Sequence, residues 1–349
     1  MNSNKKMTAI DTSKLVTKKE IIDLLKEQLS KKNIENSHIG LPRDIEFSSQ
    51  NGILKAYLTN PELNMQTNGA AFEGWIIALK TWLPHMTRKV ELDFPIRSDL
   101  STKRLGNPEV CHYKRFLYRM ANFERLFPDW FSLDTRSQGE VTEFKRWLKQ
   151  EPCVLNHSLR EREPVFETEN MERKIESWLV FSREGSELLC ELWGLDQTKL
   201  FNQLPVGVFH KNIDRKNAIF TRGAGAIDLW GIGKDGTTLH IIELKCGSNI
   251  NMGVISEMLF YTAVMYDTCI AEDNLFHFGR YGNSPPTRDT IAIQNGGQNF
   301  KQLHSHVLAE RYHPLFSDNV VNLLTEGLSR LDIKFDRAKY DYNNKRLPV

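Results

Sequence analysis

Two apolar runs joined by a tight turn constrain the fold of this chain more than any other feature. Residues 226–232 (AIDLWGI) and 239–245 (LHIIELK) are each long enough for a buried strand, and Gly233-Lys234-Asp235-Gly236 lies between them. Gly and Asp accept the left-handed backbone angles that hairpin loops need, so the pair reads as an antiparallel hairpin. Side chains alternate faces along a strand. Ile241, Glu243 and Lys245 therefore share one face, and His240, Ile242 and Leu244 share the other. Folding 226–232 back on 239–245 brings Asp228 near Glu243.

That juxtaposition needs a chemical reason, because a charge inside a protein is costly unless it is paired. Asp228 and Glu243 have no compensating Arg in either strand. A hard divalent cation relieves two adjacent carboxylates, and Mg²⁺ is commonly held by one or two of them with water and phosphate. Lys245 is then placed to orient a water or to balance charge developing on phosphorus. The acidic-x-Lys triplet alone carries no information. Glu143-x-Lys145, Glu172-x-Lys174, Asp214-x-Lys216 and Asp332-x-Lys334 occur as well. Only the triplet at 243–245 ends an apolar strand that follows an Asp-bearing strand and a turn.

The rest of the chain places this hairpin in an α/β setting. Apolar residues at helical spacing predict helices over 18–32, 70–83, 113–126, 141–149, 254–266 and 316–332. Another helix is predicted over 170–180, with Asn170 as its N-cap. Strands are predicted over 89–94 and 204–209, and strands with loops across 38–68. Residues 150–168 contain Pro152 and Pro164, several charges and no periodicity, so the domain boundary is placed there. No internal repeat or low-complexity tract is visible. Residues 1–150 form an N-terminal mixed α/β or α-rich lobe in this reading, serving recognition, dimerisation or regulation. Residues 165–349 form the domain that carries the chemistry.

With these residues in place, the stretch 168–270 resembles the PD-(D/E)XK nuclease superfamily. In that family an acidic residue on one strand precedes an (Asp/Glu)-x-Lys on the next. Asp228, Glu243 and Lys245 occupy those three positions. The resemblance implies a restriction-endonuclease-like mixed sheet flanked by helices, with Mg²⁺ (or Mn²⁺) held by Asp228 and Glu243. It also implies a carboxylate from the preceding helix, Glu172 or Glu176. A further residue is expected on the following helix, where Glu257 stands with Tyr261 one turn later. The implied activity is hydrolysis of phosphodiester bonds, DNA before RNA, in restriction or phage defence. Asp228 follows Gly-Ala-Ile rather than Pro, a departure from the motif as written. A non-catalytic nucleic-acid-binding or assembly protein on the same fold is the alternative.

Other chemistries find little footing. Gly223-x-Gly225 has Asp228 where a dinucleotide-binding motif needs its third Gly, and a strand follows instead of a helix. No Gly-x-Ser-x-Gly elbow or phosphate loop occurs. His304, His306 and His313 raise the possibility of zinc. With no Cys beside them and Glu310 the sole nearby carboxylate, they read as a polar surface segment. The five cysteines are scattered without a Cys-x-x-Cys pair, which excludes a disulfide framework and fits a reducing cytoplasm.

Lys+Arg number 46 and Asp+Glu 44, so a polyanion must be held by local patches rather than by bulk charge. Lys211, Arg215, Lys216 and Arg222 form one such patch ahead of the hairpin. The basic residues of 113–126 (Lys114, Arg115, Arg119 and Arg125) read as the solvated face of an amphipathic helix. No apolar run approaches the ~18 residues of a membrane span, and the polar first fourteen residues do not resemble a secretory signal. A cytoplasmic protein with nucleic acid as partner is expected, and a homodimer would suit a double-strand cutter.

Overall fold

The computed structural model of the chain describes residues 13–65, 67–100, 103–220, 225–247, 251–279, 286–297 and 299–348. Arg222 lies outside the described residues. The described chain is α/β, with mixed sheets flanked by helices.

The N-terminal part runs β1 (Val16–Thr17), α1 (Lys18–Lys31), β2 (Ile45–Gln50), β3 (Ile53–Leu58), α2 (Phe72–Trp82), β4 (Lys89–Asp93), α3 (Pro108–Leu126), β5 (Phe131–Leu133) and α4 (Thr135–Gln150). The chain continues through β6 (Cys153–Leu155), α5 (Met171–Phe181), α6 (Arg183–Trp193), β7 (Leu195–Pro205), β8 (Val208–His210), β9 (Ala226–Gly233), β10 (Thr238–Lys245), α7 (Gly253–Cys269), β11 (Phe276–Phe278), α8 (Arg288–Gly297), β12 (Gln302–Ala309), α9 (Asp318–Ser329) and β13 (Ile333–Lys339). One sheet has the order β1-β2-β3-β4-β5, a second β13-β12-β10-β9-β7, and a short third β11-β6-β8.

The predicted hairpin is present. Gly236 has φ +74°, the left-handed conformation its loop requires. Asp235 locks the loop by accepting the backbone N–H groups of Thr237 and Thr238 at 2.8 and 2.9 Å. β10 then lies at the centre of its sheet, antiparallel to β9 and parallel to β12. A parallel neighbour requires a long crossover, and α7 begins that return.

Both faces of β10 are covered. Ile241 packs in the main core with Ile255 and Met258 of α7 and Leu324 of α9. Ile242 and Leu244 pack on the other side with Ile175 and Leu179 of α5 and Leu189 of α6. Each such aliphatic side chain contributes about 1.5–3 kcal/mol when buried. Double coverage explains why this strand reads as a continuous apolar run rather than as an alternating one.

The two five-stranded sheets share one connection pattern that the sequence does not betray. In each, strands one to three are antiparallel, and helical crossovers then carry the chain to two further parallel strands. β3 occupies the place that β10 holds in the second sheet. It reads ILKAYL and carries no carboxylate.

A buried ion pair joins the helices between the sheets. Arg119 of α3 donates from Nε to Glu73 Oε1 of α2 at 2.8 Å, and from Nη2 to Glu73 Oε2 and to Ala70 O. Ser256 of α7 donates to the same carboxylate at 2.7 Å. Both side chains of the pair are 2% exposed. Close approach is part of the joint, since a Cβ on Gly74 would lie 2.4 Å from Met252 O.

This joint corrects the reading of 113–126 as a helix with a solvated basic face. Arg115 and Arg119 are buried, Arg125 pairs with Asp267 at 3.2 Å, and Lys114 lies over the Trp147 ring at 3.9 Å. Buried acids on other helices partner Arg119 and Arg125, whereas Arg115 bonds Asn64 and His112, and the acids cannot be seen along α3 alone. The predicted strand 204–209 is divided between β7 and β8, and α6 was not anticipated. No helix among the described residues is long and apolar enough to cross a membrane.

Removing one partner of a buried ion pair strands the other charge, at about 3–5 kcal/mol. Glu73→Ala should lower stability by that order in denaturant unfolding. The double variant Glu73→Leu, Arg119→Met should lose distinctly less. Equal losses would show that the pair is not the joint described.

Candidate functional site

The hydrogen-bond ladder between β9 and β10 stops at Leu229–Ile242, one step short of Asp228. The Asp228 side chain takes over there: its Oδ2 accepts the Leu244 N–H at 2.9 Å. The two carboxylates predicted to meet are thus placed where their strands part. Asp228 is 8% exposed and Glu243 5%.

Lys245 sits at the end of β10 with its ammonium between two acids. Its Nζ is 2.7 Å from Glu243 Oε1 and 2.8 Å from Glu257 Oε2. Glu257 comes from the second turn of α7 and is buried. The second oxygen of Glu243, Oε2, is buried and makes no hydrogen bond among the described residues.

From the other side, α5 presents Glu172 and Glu176, which lie one turn apart. Asn170 caps this helix as predicted, its Oδ1 accepting the Arg173 N–H at 3.2 Å. One carboxylate oxygen from each of Glu172, Glu176 and Asp228 lies within 4.8 Å of the others. Glu176 is fixed by two amides of β7, Asn202 at 3.2 Å and Gln203 at 2.9 Å. Gln203 has φ +56°, an uncommon conformation for a residue with a Cβ. Such conformations persist where the surroundings impose them, and here the Gln203 amide reaches the Glu176 carboxylate. Sequence reasoning missed both amides, because nothing along β7 announces its distance from α5.

The electrostatics follow from burial and crowding. Burial, with the charges of Glu172 and Glu176, lifts the Asp228 carboxyl to about 7, against the pull of Lys245 and the Leu244 N–H. Burial and the neighbouring Asp228 hold Glu243 well above the usual carboxylate range. Burial raises Glu176 to about 6, although Asn202 and Gln203 favour its ionised form. Burial works to lower Lys245, but the charges of Glu243, Glu257 and Asp228 overcome it and hold the ammonium firmly protonated. Tyr261 is buried beside these acids, and its hydroxyl is pushed well up by burial and by their charge.

All six residues singled out from the sequence, Asp228, Glu243, Lys245, Glu172, Glu176 and Glu257, thus belong to two linked groups around the end of β10. Their ligand atoms are all oxygen apart from the Lys245 nitrogen. Such a donor set suits a hard divalent cation rather than a soft one. Lys211, Arg215 and Lys216 are exposed on the segment that follows β8, and β8 belongs to the three-stranded sheet rather than to the one bearing the acids.

The histidines depart from expectation. His304 and His306 lie on β12, inside the sheet, and His306 is buried. They are not a polar surface segment. His313 stands apart from them, edge-on to Trp75. Their true neighbour is His240 on β10, directly opposite His304 in the parallel register. The 56 residues between the two strands hide that pairing from any local motif.

No protein-family model, no curated protein and no solved structure matches the chain.

A carboxyl raised from 3.8 to about 7 binds its proton more tightly in the folded state than in the unfolded one. Its contribution to stability is complete below pH 3.8 and is lost as pH rises through about 7. In the presence of chelator, Asp228→Asn keeps an acceptor for the Leu244 N–H but removes this penalty. The variant should be more stable than wild type at pH 8, by up to a few kcal/mol. The difference should shrink as the pH approaches 4. A pH-independent difference in thermal melts would refute the assignment.

Proposed function

We propose that this chain is a metal-dependent nuclease of the PD-(D/E)XK type. Residues 165–349 supply a restriction-endonuclease-like domain, and residues 1–150 a lobe for recognition or regulation. The reading is carried by one observation: Asp228, Glu243 and Lys245 meet at the parting of a central hairpin, with Glu257 beside the ammonium and Glu172 and Glu176 beside Asp228.

The residues fit the cation that such a centre requires. The unpartnered, buried Oε2 of Glu243 and the convergent oxygens of Glu172, Glu176 and Asp228 hold more negative charge than the one Lys245 ammonium balances, which is costly in a protein interior. Asp228 and Glu243 would hold Mg²⁺ or Mn²⁺, with Glu172 or Glu176 completing the set. Bound there, the metal lowers the pKa of a water and polarises a phosphoryl oxygen.

The chain's own groups do the rest. Lys245 stays protonated, orients the attacking water and balances negative charge as the water oxygen bonds to phosphorus and the ester P–O bond breaks, the water releasing its proton to solvent and the leaving oxygen taking one from solvent. Glu257 holds the Lys245 ammonium from the side of α7 and fixes its direction. Asn202 and Gln203 hold Glu176 toward Asp228, so that the acids are arranged before substrate arrives. Lys211, Arg215, Lys216 and Arg222 are proposed to contact the phosphate backbone, which positions a substrate without reading its sequence. DNA is favoured over RNA, a homodimer is the form suited to double-strand cutting, and cytoplasmic restriction or phage defence is the proposed setting.

The decisive experiment incubates the protein with plasmid DNA, single-stranded DNA, duplex RNA and transfer RNA, each with Mg²⁺, Mn²⁺ or EDTA. Cleavage that needs metal and falls at least ~100-fold in Lys245→Ala, in keeping with loss of a group that stabilises transition-state charge, supports the proposal. Folded protein that cuts none of these and shows no Asp228-dependent Mg²⁺ binding overturns it. That outcome favours a nucleic-acid-binding or assembly role.

A further inference from the structure

We propose that His240, His304 and His306 form a second metal site, a structural Zn²⁺ clamp across β10 and β12, distinct from the carboxylate centre. The site follows from register. β10 and β12 are parallel, with His240 opposite His304 and Ile242 opposite His306. Residues in register share a face, so all three imidazoles lie with Ile242 and Leu244. Glu243 and Lys245 project from the other face of β10.

The geometry is that of a ligand set. One ring nitrogen from each of the three lies within 4.8 Å of the others. His240 Nδ1 and His306 Nε2 are 3.0 Å apart. Two nitrogens bound to one tetrahedral Zn²⁺ at 2.0–2.1 Å would be separated by about 3.3 Å. Small ring rotations close the difference.

The surroundings prepare these rings for a metal. His306 Nδ1 is 2.6 Å from Asp336 Oδ1 on β13. A carboxylate accepting the Nδ1 proton leaves Nε2 with its lone pair facing inward, the arrangement in which acids orient metal-binding histidines. Trp193, the last residue of α6, stacks on His306 with ring centroids 4.1 Å apart and covers the group. His304 Nε2 is buried and has no hydrogen-bond partner among the described residues. A polar cluster kept only for packing would satisfy that atom or replace it by carbon.

The bonding also explains why an imidazole-binding metal is favoured. Three nitrogens with no thiolate suit Zn²⁺ among the abundant divalent ions, and do not suit Mg²⁺ or Ca²⁺. A cation here would join the hairpin strand β10 to β12 and, through Asp336, to β13. It would fix the strand that carries Glu243 and Lys245 from behind.

The test uses the full chain, stripped with chelator and titrated with Zn²⁺ and, separately, with Co²⁺ as a spectroscopic probe. Wild type should bind one equivalent with a rise in melting temperature, and Co²⁺ should give the absorption of a tetrahedral nitrogen-rich site. His304→Gln and His240→Gln should each weaken Zn²⁺ binding at least ~10-fold, whereas His313→Gln and Asp228→Asn should not. Asp336 is 55% exposed at its side chain, so its replacement spares the core. Asp336→Asn should weaken binding by about 10–100-fold, as loss of an orienting partner does, even if the buried histidine variants fail to fold. Wild type that binds no Zn²⁺ at micromolar concentration would overturn the proposal. So would binding that is indifferent to both Asp336→Asn and His304→Gln.

Discussion

An ionised or strongly polar group inside a protein must be paired, and that requirement organises this molecule at three places. Between the sheets, Glu73 and Arg119 are both almost wholly inaccessible, so each exists because the other does, with Ser256 and Ala70 O using the remaining bonding capacity. At the end of β10, a single ammonium faces Glu243 and Glu257 while Asp228 stands nearby. On the reverse face of the same sheet, three imidazoles of β10 and β12 share one hydrogen bond to a neighbouring ring and one to Asp336. The first system balances its charge. The second holds more acid than base, and the third leaves a nitrogen unpartnered. Imbalance separates a structural joint from a place prepared for something else.

β10 is where these demands converge. It is central in its sheet and covered on both faces, which gives its side chains little room to relax. A charged group on such a strand is held in direction as well as in position. The ladder to β9 ends just before Asp228, and the Asp228 side chain replaces the missing backbone partner of Leu244. The same parting of strands that would leave an N–H unpaired thus points a carboxylate at the end of β10. α7 contributes Glu257 from a helix buried nearly all round, and α2 and α3 bear on α7 through the Glu73 joint. A disturbance between the sheets therefore reaches the helix that fixes Lys245.

The legible part of this arrangement was local. The hairpin, the shared face of Glu243 and Lys245, the Asn170 cap and the helical placing of Glu172, Glu176 and Glu257 all follow from periods of 2 and 3.6 within one element or across one turn. What was hidden required partners distant in sequence. Asn202 and Gln203 reach Glu176 only because β7 runs beside α5. Arg119 and Arg125 look like a solvated face until acids from other helices are placed against them. His240 and His304 are paired by a crossover through α7 and α8, and in a parallel sheet no turn announces the register. Short elements were hidden for another reason: β6 spans three residues, too few for any period to show.

The common connection pattern of the two large sheets sharpens what is special about the second. Both turn a hairpin and then cross over by helices, and their crossover helices α2 and α7 meet at Gly74 and Met252. β3 and β10 hold corresponding places. β3 buries Leu54, Ala56 and Leu58 and directs Lys55 and Tyr57 outward, whereas β10 buries His240 and Glu243 and leaves the Lys245 side chain 12% exposed. Strand propensity and packing are served well by the first sequence and poorly by the second. Local rules are broken in this way where a protein accepts lost stability in exchange for chemistry. The contrast lies within one chain: the same architecture is built once with an apolar hairpin strand and once with a charged one, and it is β10 that departs from what strand packing alone would select.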